Sequence, residues 1–161
     1  MPLLEVGSMD SVKTGFEVMP EEKLVKVRIA KPKSPEAELR LNKDGKSKTL
    51  SFGCEILEGQ YKGRIVFWST VLPTSKENYV AWNLKSDGQP MTVEQKEAAF
   101  EAGDYLRDLK LFATACGVNT SADIDTNDMY GKEITITVKQ EVRKDTGEPK
   151  NIARNPKAIK A

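Results

Sequence analysis

The sequence predicts a mainly β domain with one helical segment between its third and fourth strands. Three stretches carry that prediction. Leu50 to Leu72 holds two alternating apolar runs joined by a Gly-rich turn, and Gly131 to Arg143 holds a third, longer one. Between them, Thr92 to Gly117 replaces the period of two with helical spacing and helix-end signals.

In chain order, residues 1–20 mix Gly, Ser, Pro and Met and read as a flexible N-terminal arm with a short strand at Gly15 to Met19. Lys23 to Ala30 (KLVKVRIA) follows as a strand, with Val25, Val27 and Ile29 on one face and Leu24, Lys26 and Arg28 on the other. Pro32 and Pro35 interrupt it. Ala37 to Leu41 alternates briefly before a lysine-rich turn around Asp44-Gly45. In the main hairpin, Leu50, Phe52, Cys54 and Ile56 share the core face of the first run. Alternation in the second run sets Ile65, Phe67, Ser69 and Val71 inward, and Arg64, Val66, Trp68 and Thr70 outward. That assignment rests on strand parity: a slip of one residue buries Trp68 and exposes Phe67.

Pro73 to Pro90 reads as a long loop whose aromatics, Tyr79 and Trp82, cover one end of the sheet or offer a stacking site. Thr92-x-x-Gln95 fits a capping box. Asp104 is placed to cap a second helix, with Leu106, Leu109, Ala113 and Cys116 as its buried stripe and Gly117 as its stop. In Gly131 to Arg143, Ile134, Ile136, Val138 and Val142 point in, while Glu133, Thr135, Thr137, Lys139, Glu141 and Arg143 point out. A turn at Lys144 to Glu148 returns the chain into a short edge strand, Pro149 to Ala153. Residues 154–161 read as a basic flexible tail, either a solvated end or, with Lys150, Arg154, Lys157 and Lys160 and no acid from Lys150 on, a phosphate-binding arm, leaving 21–153 as a single domain.

Composition narrows the chemistry. Lys and Arg number 25 against 24 Asp and Glu, so charge placement, not net charge, must identify a partner. With no histidine, His-based triads, His-liganded zinc and His acid–base catalysis are excluded. Cys54 and Cys116 lie on different elements and read as two reduced, packed thiols. Asp123 to Asp128 superficially matches a calcium loop, but Asp128 stands where the turn glycine belongs and Ile134 where the closing glutamate belongs. There is no GxxxxGK[ST], no GxSxG and no paired-Cys metal site, so the reading is a non-enzyme without metal or cofactor. With no signal peptide and no membrane-length apolar run, the expectation is a soluble cytoplasmic protein.

A helix between the third and fourth strands of a five-stranded, partly open barrel is the arrangement of the OB-fold. Another α+β topology, an antiparallel sheet with one packed helix, is the rival. Gly59-Gln60-Tyr61-Lys62-Gly63-Arg64-Ile65-Val66-Phe67, after a strand ending Ile56-Leu57-Glu58, resembles a motif of small bacteriophage proteins. Those proteins are encoded among replication and recombination genes and are regarded as OB-fold, single-stranded-DNA-binding-like. Ala115-Cys116-Gly117-Val118, Tyr130-Gly131-Lys132 and Gly147-Glu148-Pro149-Lys150-Asn151 are similar to theirs in the same order, so the likeness runs from Met19 to Asn151. Two features depart from it. Many single-stranded-DNA-binding proteins end in an acidic, partner-recruiting tail, whereas this chain ends in a basic one, and the Pro73 to Pro90 connection is longer than such a chain needs.

The resemblance and the residues together imply sequence-independent binding of single-stranded DNA in replication or recombination, in the host cytoplasm if the chain is phage-encoded. Bases are expected to stack on Trp68, with Tyr61, Phe67 and Trp82 as further aromatics, and phosphates to meet Lys26, Arg28, Lys62, Arg64, Lys139 and Arg143. Lys26 and Arg28 would lie beside Arg64 and Trp68 if their strands are neighbours. Replication or recombination proteins and further copies of the chain are the other expected partners, with no membrane. The rival reading is a protein-interaction module on the same fold; an apolar groove at Tyr79 and Trp82 without cations beside it would favour that rival.

Overall fold

The computed structural model describes residues 18–34, 38–121, 123–143 and 146–159. The expected arm up to Glu17, the start of its short strand and the end of the basic tail lie outside the described residues. Among the described residues eight strands occur in chain order: β1 Glu22–Ala30, β2 Leu39–Leu41, β3 Ser47–Ile56, β4 Ile65–Pro73, β5 Lys85–Ser86, β6 Gln89–Pro90, β7 Glu133–Val142 and β8 Pro149–Ala158. Three α-helices, α1 Lys76–Val80, α2 Val93–Glu101 and α3 Arg107–Ala115, fall between β4 and β7, with a 3-10 turn at Asp104–Leu106 joining the last two. The protein is mainly β.

Five strands pair in a ring that closes on itself, in the order β1-β7-β8-β4-β3 and back to β1. Every junction is antiparallel except β4–β8, which is parallel and meets at Phe67 and Ile152 alone. β3 is long enough to serve two neighbours on one edge: Leu50 and the residues before it pair with β2, and Gly53 to Ile56 pair with β1. The inner faces of β1, β3 and β7 supply the core that alternation predicts: Val27 and Ile29, Leu50, Phe52, Cys54 and Ile56, and Ile134, Ile136 and Val138. Burial also explains the thiols. It pushes Cys54 up to about 12 and Cys116 up to about 11, so both remain protonated at neutral pH.

On β4 the expected parity is reversed. Val66, Trp68 and Thr70 face inward, and Ile65, Phe67, Ser69 and Val71 face out. The cause is the turn. Gly63 donates its N–H to the Ile56 carbonyl (2.8 Å), while the Ile56 N–H donates to the Arg64 carbonyl (2.8 Å), so two residues oppose one. That is a β-bulge, with Gly63 at φ +91°, and its extra residue shifts β4 by one position. Trp68 then lies opposite Phe52 in the register and is only 4 % exposed.

The helical segment completes the core from outside the ring. The Thr92–Gln95 capping box is present in both directions, and Gly103 at φ +77° breaks the helix before α3. The buried stripe of α3 is centred on Phe112, which was not among the expected core residues, with Ala113, Ala115 and Cys116, whereas Leu106 is 37 % exposed. Phe112 stacks on Trp68 at 4.4 Å and on Phe52 at 4.8 Å, closing an aromatic triad. Two further expectations fail on β7: Val142 is 63 % exposed, beyond the core, and Thr137 is buried. Arg154 to Ala158, expected in a tail, belong to β8. The Asn151 side chain pins the start of the domain there, accepting from the Met19 N–H (2.7 Å) and donating to the Met19 carbonyl (2.9 Å).

Candidate nucleic-acid interface

β4 and β8 touch at one residue pair and then diverge, and the divergence opens a cleft of about 1070 Å³. One wall is the outer side of β4, with Phe67, Ser69 and Val71. A second is helical, with Trp82, Tyr105, Arg107 and Leu111. The third is β8, with Ile152, Arg154 and Lys157. The helical wall is stiffened by its own aromatic cluster: Tyr79 sits 5.4 Å from Trp82 and 5.7 Å from Phe100, and Phe100 stacks on Tyr105 at 4.9 Å. Tyr79 is buried at the centre of that cluster. Burial, and then the Asp104 carboxylate, raise its hydroxyl above the ordinary range, so it stays a neutral phenol.

Charge in the cleft is unevenly engaged. Arg107 lies 4.0 Å from Asp104 and Lys150 lies 3.8 Å from Glu141. Among the described residues no carboxylate pairs with Arg154 or Lys157, and both side chains are exposed. Their common placement depends on a bulge. Thr135 pairs with Lys157 and Thr137 with Arg154, so two steps along β7 match three along β8. Asn155, at φ +51°, absorbs the extra residue, and asparagine is among the side chains that tolerate this region best. Regular alternation would set Arg154 and Lys157 on opposite faces; the bulge sets both on the outer face.

The residues singled out from the sequence are scattered. Trp68 is in the core and is unavailable for stacking. Trp82, half-buried, lines the cleft. β3 lies between β1 and β4, so Lys26 and Arg28 do not adjoin Arg64 and the outer face of β4. Arg28 pairs in register with Glu55 on one side and Glu133 on the other, with the Glu133 carboxylate 4.0 Å away. Lys139 pairs with Glu21 at 3.8 Å. Lys26 and Tyr61 share a smaller hollow of about 300 Å³, with the Arg64 guanidinium 5.7 Å from the Tyr61 ring centre and Lys62 exposed in the turn. Arg143 follows β7, where its backbone closes the turn into β8 through Glu148 and Gly147. Tyr105 and Arg107 line the cleft without having been singled out as binding residues, and Arg154 and Lys157 were expected only as part of a flexible basic tail. The one signal for the last two is the acid-free basic run they share.

No family model and no curated protein matches this chain. The reading of the cleft therefore stands on its geometry. Among the described residues no helix is long and apolar enough to cross a membrane.

Proposed function

We propose that the protein is an OB-fold binder of single-stranded DNA that takes its ligand, without sequence preference, in the cleft between β4 and β8. The ring order with its parallel β4–β8 junction and the helices between the third and fourth ring strands support the OB-fold reading. In that fold the face of the second and third barrel strands is a common oligonucleotide platform, and here those strands are β3 and β4. The observation that carries the proposal is the meeting, in one open cleft, of the exposed Phe67 and the half-buried Trp82 and Tyr105 with Arg154 and Lys157, which have no carboxylate partner among the described residues. Bases stack on the rings whatever their identity, and the cations follow the phosphates. Phe67 replaces Trp68 as the stacking residue on β4. The resemblance of the Gly59 to Phe67 hairpin to phage proteins supports a role in phage DNA replication or recombination, in the host cytoplasm, and the proposal assigns no catalytic residue.

Exposed Ile65, Phe67 and Val71 also suit a protein partner. The cations that line the same cleft as Trp82 put nucleic acid ahead of that rival. The test is a titration of labelled single-stranded DNA and RNA oligonucleotides against wild type, Phe67→Ala and Trp82→Ala at low and moderate salt. Each stacked base contributes on the order of 1–3 kcal/mol, so either substitution is expected to weaken binding about 5- to 150-fold. A folded wild-type protein that binds no oligonucleotide at low salt overturns the proposal and leaves the interaction module.

A further inference from the structure

Gly53 stands in the middle of β3, where glycine costs about 0.5–1 kcal/mol relative to alanine. The eight other described glycines have φ between +68° and +91°, a region that L residues avoid. Gly53 alone has a backbone that any residue adopts, so conformation does not account for it. Space does. A Cβ built at Gly53 would crowd Ile65 Cγ2 at 3.1 Å and fill the gap beneath Phe67 Cε1 to ordinary contact at 3.6 Å.

The register shows what the space is for. Ala30 pairs with Gly53, Gly53 with Phe67, and Phe67 with Ile152. These four residues form one row across the outer face of four consecutive strands, with small residues on β1 and β3 and large ones on β4 and β8. The Phe67 ring reaches over the trough at Gly53 while 54 % of the residue stays exposed. An aromatic ring laid across a cross-strand glycine recovers the packing the glycine lacks, and it turns its other face outward. We infer that Gly53 is a positioning residue for the Phe67 stacking platform: by carrying no side chain it lets the ring lie down on the sheet, open to a base.

This rests on the proposed function, and the test separates the two. Gly53→Ala keeps the ring but crowds Ile65, which the new methyl would meet at 3.1 Å, and the displaced Ile65 is expected to shift the neighbouring Phe67 ring, which the methyl itself would meet at ordinary contact distance. It is expected to weaken oligonucleotide binding about three- to tenfold, part of the platform's full value. Its salt dependence should match wild type, because no phosphate contact changes, and its melting temperature should stay within a few degrees. Removing the crowding atom in Gly53→Ala/Ile65→Ala should restore the affinity of Ile65→Ala, and Gly53→Ala should add nothing to Phe67→Ala. Without ligand, the Gly53 Hα resonances should be shifted by the overlying ring and return to ordinary positions in Phe67→Ala. Full affinity in Gly53→Ala, or additive losses with Phe67→Ala, overturns the inference while leaving binding at the cleft intact. Unshifted Hα resonances overturn it whatever the protein binds. A wild type that binds no oligonucleotide removes the proposed function and this role with it.

Discussion

Replacing Trp68 by alanine separates a stacking role from a core role. Trp68 is 4 % exposed, stacks on Phe112 at 4.4 Å and lies 6.0 Å from Phe52. A buried aromatic of this kind removes about 150–250 Å² from water, worth roughly 4–6 kcal/mol at about 25 cal/mol per Å². Large-to-small aromatic truncations in cores cost about 3–5 kcal/mol. Taking about 4 kcal/mol, and about 2–4 °C per kcal/mol for a domain of this size, Trp68→Ala should melt about 8–16 °C below wild type. Phe67→Ala, from the exposed face of the same strand, should stay within about 3 °C. The assay is thermal unfolding followed by circular dichroism, with urea titration as a second measure. The chain has two tryptophans, which adds an optical control. Oligonucleotide should quench the half-buried Trp82 in Trp68→Phe and leave Trp68 unquenched in Trp82→Phe. A Trp68→Ala protein that melts with wild type, or quenching that survives in Trp82→Phe, refutes the burial argument.

The remaining predictions follow from charge and protonation. Arg154→Ala and Lys157→Ala should each lower the slope of log affinity against log salt by about 0.7, the value of one single-strand phosphate contact, whereas Arg28→Ala, already paired with Glu133, should leave it unchanged. Equal slopes for all three would remove β8 from the site. The raised values of Cys54, about 12, and Tyr130, about 12, mean that the folded state holds these protons more tightly than the unfolded chain. The stability they contribute is complete below pH about 9 for Cys54 and about 10 for Tyr130, and is lost as pH rises through about 12. The urea midpoint should therefore fall steadily above pH 9, and a thiol reagent at pH 8 should label neither cysteine until the protein unfolds. Prompt labelling of the native protein would contradict the burial of both thiols.

Alternation succeeds on β1, β3 and the first part of β7 for one reason: each sets a polar face against an apolar one. Lys26 and Arg28 oppose Val27 and Ile29, and Glu133 and Thr135 oppose Ile134 and Ile136. β4 has no such contrast. Ile65, Phe67 and Val71 on one side and Val66, Trp68 and Leu72 on the other are equally apolar, because one side meets the core and the other the cleft. With both parities allowed, the decision passes to the turn, where the Gly63 bulge makes the choice through two backbone hydrogen bonds. A strand apolar on both faces is itself a sign that its outer face has work to do, and that sign is present in the sequence before any parity is assigned.

β8 escapes for a related reason. Ala153 and Ala158 pair with the core residues Val138 and Ile134, yet they are five positions apart, an odd number that regular alternation cannot put on one face. The bulge at Asn155 reconciles them, and Pro156 beside it is tolerated because a bulge leaves an N–H without a ladder partner. A scan for period two stops at Ala153 and reads the rest as a flexible tail, which takes Arg154 and Lys157 off the sheet. The cleft then joins Phe67, Tyr105 and Arg154 from three separate regions of the chain. What brings them together is the parallel β4–β8 junction, a pairing between the third and last ring strands that no local pattern encodes. Gly53 is the exception. A glycine at a strand centre, opposite an aromatic across a hairpin, is visible in the sequence as soon as the hairpin register is known, and it points directly at the residue it exposes.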